Sequence, residues 1–85
     1  MREVQFRHEA DAQYKVLCEA HPRLRVAIDG ALLTIGIAGD KLPLVPGSSD
    51  LRAVATVKGH LAPEVLVFFT DDLTIYWVER IRLKN

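Results

Sequence analysis

Apolar and polar positions alternate along several stretches of this chain, and in a strand such alternation assigns side chains to two opposite faces. The longest such stretch is Glu64 to Lys84, EVLVFFTDDLTIYWVERIRLK, which holds Phe68, Phe69, Tyr76 and Trp77. It reads as two strands joined by a tight turn at Asp71-Asp72. That turn sets Thr70 opposite Leu73, Phe68 opposite Ile75, Leu66 opposite Trp77 and Glu64 opposite Glu79. Leu66, Phe68, Leu73, Ile75, Trp77, Ile81 and Leu83 then share the expected core face. Val65, Val67, Phe69, Tyr76 and Val78 line the other face, which Arg80, Arg82 and Lys84 continue as a basic row.

Glu79 breaks the apolar rhythm, and this register sets Glu64 beside it. Like charges opposed across strands are destabilising. The pattern therefore predicts either an open sheet end there or a bulge at Val78-Glu79 that turns Glu79 outward. The alternative is a partly buried carboxylate pair with one raised pKa, or one neutralised by Arg or Lys.

Leu24 to Ala38 alternates around Asp29-Gly30, a strong hairpin signal because a type I′ turn needs positive φ at both central residues. That hairpin would pair Ile28 with Ala31, Val26 with Leu33 and Leu24 with Ile35. Upstream, REVQFR (residues 2–7) reads as a short edge strand with Val4 and Phe6 inward. Between them, Ala10, Tyr14, Leu17, Cys18 and His21 form a helical stripe over Glu9 to Ala20. Glu9 and Asp11 suit the positive end of its dipole, and Pro22 ends it. Residues 39–50, GDKLPLVPGSSD, read as a loop whose Leu42, Leu44 and Val45 either tuck over the core edge or present a contact surface. Leu51 to Lys58 is read as a strand because Val54, Thr56 and Val57 are β-branched, with a capped helix as the alternative.

Eighty-five residues, 49% hydrophobic and 26% charged, with a net charge of zero, point to one soluble domain over residues 1–85. Zero net charge disfavours a globally basic nucleic-acid binder, so electrostatic recognition would need a local patch. The single cysteine, Cys18, excludes an intramolecular disulfide framework. With no secretory pattern at the N-terminus and no membrane-length apolar run, the expectation is a cytoplasmic protein without membrane partners.

Little in the chain suggests chemistry. Cys18-x-x-His21 is a single half of a metal motif, with His8 and His60 as further donors, and no second paired half. Ser48 and Ser49 lack a nucleophile context, Asp71 and Asp72 read as turn residues, and no phosphate loop follows Gly36 or Gly39. Neither catalytic residues, a metal nor a cofactor are expected. Pro43-Leu44-Val45-Pro46 matches the Pro-x-x-Pro pattern of proline-rich ligands, a four-residue match that carries little information.

A helix followed by five strands is the element order of Sm-like RNA-binding domains. The segment LRVAIDGALLTIGIAGD resembles their first motif: a strand, an Asp-Gly turn, a second strand and a Gly-Asp. The resemblance implies a likeness of fold and carries no site residues over.

The expected fold class is α+β: about six short, mostly antiparallel strands in a meander, roll or barrel-like sheet, with one N-terminal helix packed on it. Its core should hold Phe6, Leu17, Val26, Ile28, Leu33, Ile35, Leu66, Phe68, Ile75, Trp77 and Ile81. The expected function is a non-enzymatic protein-interaction module, of the accessory or inhibitory type made by phages and mobile elements, with self-association. Leu42, Leu44, Val45, Phe69, Tyr76 and Val78 are its expected partner-binding residues. The alternative is nucleic-acid binding through Arg80, Arg82 and Lys84, with an aromatic stacking on bases and Arg25 or Arg52 extending the patch.

Overall fold

Apolar residues spaced four, three and four apart fall on one stripe of a helix, and Leu24, Ile28, Ala31 and Ile35 have that spacing. In the computed structural model, which describes residues 1–56 and 63–84, Leu24–Ala38 is one α-helix with all four buried. This corrects the expected hairpin. Asp29 and Gly30 lie inside the helix, where Asp29 accepts a hydrogen bond from the Tyr14 hydroxyl at 3.3 Å. Three alanines and three leucines favour helix over this span, and tertiary burial of the 24/28/31/35 stripe overrides the local turn signal. The likeness to Sm-like domains falls with the hairpin, because the matching residues are helical.

The order of elements is β1 (Glu3–Phe6), α1 (His8–Ala20), α2 (Leu24–Ala38), a 3-10 turn (Gly39–Lys41), β2 (Leu51–Ala55), β3 (Val65–Asp72) and β4 (Ile75–Leu83). The strands form one sheet in the order β1-β4-β3-β2, with β1 parallel to β4 and the other pairs antiparallel. A parallel neighbour requires a long crossover, and the path from β1 to β4 includes both helices. The fold class is thus α+β, as expected. Among the described residues its details are two helices and a four-stranded mixed open sheet, in place of one helix and about six strands of barrel-like sheet. Two of the expected strands are taken up in α2.

Residues 71 and 72 stay in strand, and the turn lies at Leu73-Thr74. Asp71 explains the shift. Its Oδ1 accepts the Leu73 N–H at 2.9 Å, an Asx-type bond, while Arg2 of β1's lead-in pairs with the same carboxylate at 2.6 Å. Leu73 adopts φ 53° at the tip, an unusual conformation for a leucine. Pairing therefore runs Asp72↔Ile75, Thr70↔Trp77 and Phe69↔Val78, then slips so that Phe68 meets Arg80 and Val67 meets Ile81. Glu79 is the extra residue of a β-bulge.

The bulge re-aims the rest of β4. Before it, even residues face the helices; after it, odd ones do. Tyr76, Val78 and Ile81 are consequently buried together with Val65, Val67 and Phe69 of β3. Ala10, Leu24, Ile28, Ala31 and Ile35 pack on them from the helices, with Val4, Phe6, Tyr14, Leu17 and Cys18 half-buried around. The faces expected for β3 and β4 are inverted over most of their length: Leu66, Phe68, Ile75 and Trp77 lie on the outer face, and Val26 and Leu33 are exposed on α2. Of the predicted core, Ile28, Ile35 and Ile81 are fully inside, and Phe6 and Leu17 pack at its margin.

β1 is an edge strand with Val4 and Phe6 turned inward, as its alternation predicts. At the other edge, β2 covers Leu51–Ala55 of the predicted strand. Residues 57–58 lie outside the described residues, as does His60 among the candidate metal donors. Thr56, the buried polar residue just after β2, donates its N–H to the Val65 carbonyl and accepts the Val65 N–H on Oγ1.

Candidate interaction surfaces

The first surface is the outer face of the sheet. The bulge at Glu79 brings Trp77 and the even-numbered Arg80 and Arg82 to the same side, beside Phe68 of β3. This corrects the expectation that the basic row adjoins Tyr76. The Arg7 guanidinium stacks 4.3 Å from the Trp77 ring centroid, and that of Arg80 lies 5.5 Å from the Phe68 ring. Glu79 accepts bonds from the Thr70 hydroxyl at 2.7 Å and from Arg7 Nε at 3.3 Å. Glu64 pairs with Lys84 at 3.3 Å. The two carboxylates are thus separated, and no paired site forms; the bulge, not a shared proton, resolves their conflict. Arg80 and Arg82 have no ion-pair partner among the described residues.

That face is bipolar. A polar hollow of about 640 Å³ at the turn end is lined by Arg7, Ser48, Asp50, Asp71, Asp72 and Glu79, and the Trp77 indole N–H points to Asp72 at 3.3 Å. The opposite end carries Arg80, Arg82 and Lys84. Arg25 and Arg52 do not extend the basic end: Arg25 is on α2, and Arg52 bonds the Leu42 carbonyl at the β2 edge.

The second surface is an apolar groove of about 400 Å³ between α1 and the end of β4, lined by Ala12, Val16, Leu17, Ile81 and Leu83. Gln13 reaches across it to the β4 backbone.

The third surface is the outer side of α2. Val26, Leu33 and Ile37 are 79%, 52% and 66% exposed. With Gly30 they recur at four-three-four spacing, directly opposite the buried 24/28/31/35 stripe, so α2 has two apolar sides. The signal was present in the sequence, as a second phase of helical periodicity within a segment that read as strands.

The remaining sequence candidates separate. Phe69, Tyr76 and Val78 are at most 2% exposed; they lie in the core and not on a contact surface, a correction that follows from the inverted faces. Leu42 packs against the core, whereas Leu44 is exposed and bridges Arg52, and the Val45 N–H bonds the Leu51 carbonyl at 2.7 Å. The 42–45 segment therefore covers part of the free edge of β2. Cys18 is half-buried and His21 exposed at the end of α1, and among the described residues no three His, Cys, Asp or Glu side chains converge on one point. Among the described residues, no helix is long and apolar enough to cross a membrane.

Arg2 ties the sheet to its own turn. Its guanidinium bonds Asp71, the Leu73 carbonyl and the Tyr76 hydroxyl, and lies 3.9 Å from the Tyr76 ring centroid. The hydrogen bond to Arg2 holds the Asp71 carboxyl below its ordinary range, and the same bond raises the Arg2 pKa. Burial pushes the Tyr14 hydroxyl up, with the Asp29 charge adding to it.

No protein-family model matches the chain, and comparison with curated proteins and with solved structures returns no match to it.

Proposed function

We propose that the protein is a non-catalytic interaction module that binds another protein through the outer side of α2. The observation that carries this reading is the exposure of Val26, Leu33 and Ile37 as one stripe on a helix already buried along its opposite side. A surface helix that needed only to cover the sheet would carry polar residues there, and contiguous exposed apolar surface is characteristic of protein contact sites. An accessory or inhibitory role is the form of action such a surface suits. The test is a photo-reactive residue at position 33, activated in living cells, with position 82 on the sheet face as control. A protein adduct formed at 33 and absent at 82 supports the reading; equal or no adducts at the two positions remove it.

A second reading is supported by a different observation, the gathering of Phe68, Trp77, Arg80 and Arg82 on one open sheet face. Aromatic rings among guanidinium groups can stack bases while contacting phosphates. Low-salt gel shifts with single-stranded oligonucleotides test it. A shift abolished in the Arg80→Glu, Arg82→Glu double variant supports this reading; no shift with the unmodified protein eliminates it.

A further inference from the structure

We propose that the partner seated on the outer side of α2 is a second copy of this chain, packed as an antiparallel helix pair about a two-fold axis. The proposal rests on the interaction reading above and specifies the partner. In a two-fold interface contacts are reciprocal: if residue i meets residue j, then j meets i. The α2 stripe is self-complementary in this sense. The antiparallel register that sets Val26 against Ile37 of the second copy also sets Gly30 against Leu33, and Arg23 against Asp40. Each of these pairs occurs twice.

The charges select the antiparallel pairing. Arg23 precedes α2 and Asp40 follows it, both exposed, and neither has an ion-pair partner among the described residues. A parallel pair would stack Arg23 on Arg23 and Asp40 on Asp40. The antiparallel pair joins opposite charges at both ends and aligns the helix dipoles favourably.

Gly30 supplies an independent argument. A glycine inside a helix is unfavourable by about 1 kcal/mol relative to alanine. Here a Cβ at residue 30 would meet nothing within 4 Å among the described residues, so no contact among them calls for its absence. A neighbouring helix does, because Leu33 of the second copy would descend on that position. Beside Gly30 lies a groove of about 280 Å³ bounded by Val26, Ala27, Thr34, Val54 and Ala55, with room for a leucine knob. The four-three-four spacing is that of knobs-into-holes packing. A helix of fifteen residues is about 22 Å long, so the contact is small, and a dimer of this kind dissociates on dilution.

Analytical ultracentrifugation of the whole chain, from low micromolar to near-millimolar concentration, tests the proposal. A concentration-dependent monomer–dimer equilibrium is expected. Leu33→Glu should weaken it ~100-fold or more by burying unpaired charge, with an unchanged circular dichroism spectrum because the site is exposed in the monomer. Arg23→Glu should weaken it ~10-fold, and adding Asp40→Arg to Arg23→Glu should restore it. A monomer at every concentration overturns the proposal. So does a dimer indifferent to Leu33→Glu, or one that the charge swap leaves broken. If the purified protein is monomeric while position 33 captures a different protein in cells, the second-copy inference fails and the interaction reading survives.

Discussion

The side chain of Gln13 accepts the backbone N–H of Ile81 at 2.7 Å. β1 accompanies β4 only as far as Phe6, opposite Val78, so beyond that point the β4 backbone has no strand on this side among the described residues. Helix α1 completes the ladder with one side-chain oxygen, just past the bulge that turns Ile81 into the core. Gln13→Leu should therefore destabilise the fold by about 1–3 kcal/mol, the penalty for an amide left without an acceptor. Gln13→Glu retains an oxygen and should lose much less. Urea unfolding of both variants checks this, and equal losses would show that the bond is unimportant.

Phe69 and Trp77 reverse the roles that their positions in sequence suggest. Phe69→Ala empties a fully buried site and should cost about 3–5 kcal/mol. Trp77→Ala removes a half-buried ring from the outer face and should cost clearly less. Thermal melts of the two variants would place the core on the opposite side of the sheet if their order were inverted.

Two glycines respond oppositely to alanine. A Cβ at residue 39 would stand 2.7 Å from Cζ of Tyr76, a buried ring. Gly39→Ala should thus cost about 1–3 kcal/mol through overpacking. Gly30→Ala, measured at concentrations too low for association, should gain about 0.4–1 kcal/mol by reducing the freedom of the unfolded chain. Chemical denaturation of each variant checks both signs.

The Arg2–Asp71 pair makes stability depend on acid. Because the folded-state pKa of Asp71 is depressed, its contribution is complete above the unfolded value of about 3.9 and disappears as pH falls through the lower folded value. Arg2→Gln should remove that contribution, so the variant loses less stability than the parent between neutral pH and strong acid. A denaturation series against pH shows this as a flatter acid limb; identical limbs would mean that the ion pair contributes nothing.

Tyr14 acts at the alkaline end. Its folded-state pKa is raised, so the stabilisation is complete below the unfolded value of about 10 and is lost as pH rises through the folded value. NMR titration of the Tyr14 ring should give a midpoint above 10. In Asp29→Asn, which removes the neighbouring charge but not the burial, the midpoint should fall part of the way back.

Some elements were legible in the chain itself because they depend on neighbours in sequence. The helical stripe through Ala10, Tyr14 and Leu17, the edge strand around Val4 and Phe6, the strand opening at Leu51 and the two strands flanking residues 71–74 follow from side-chain periodicity and from Pro22. Parity also grouped Phe68 with Trp77 and Phe69 with Tyr76 correctly. Three features depended on contacts far apart in sequence. Which parity group faces inward was settled by where α1 and α2 pack. The break in rhythm at Glu79 already offered a bulge at Val78-Glu79 or an open sheet end, and contacts with Thr70 and Arg7, nine and 72 residues away, decide for the bulge. The segment around Asp29-Gly30 carries both a period of two and a period of 3.6, and the helix prevailed because its 24/28/31/35 stripe could be buried on a sheet formed largely by the C-terminal half of the chain.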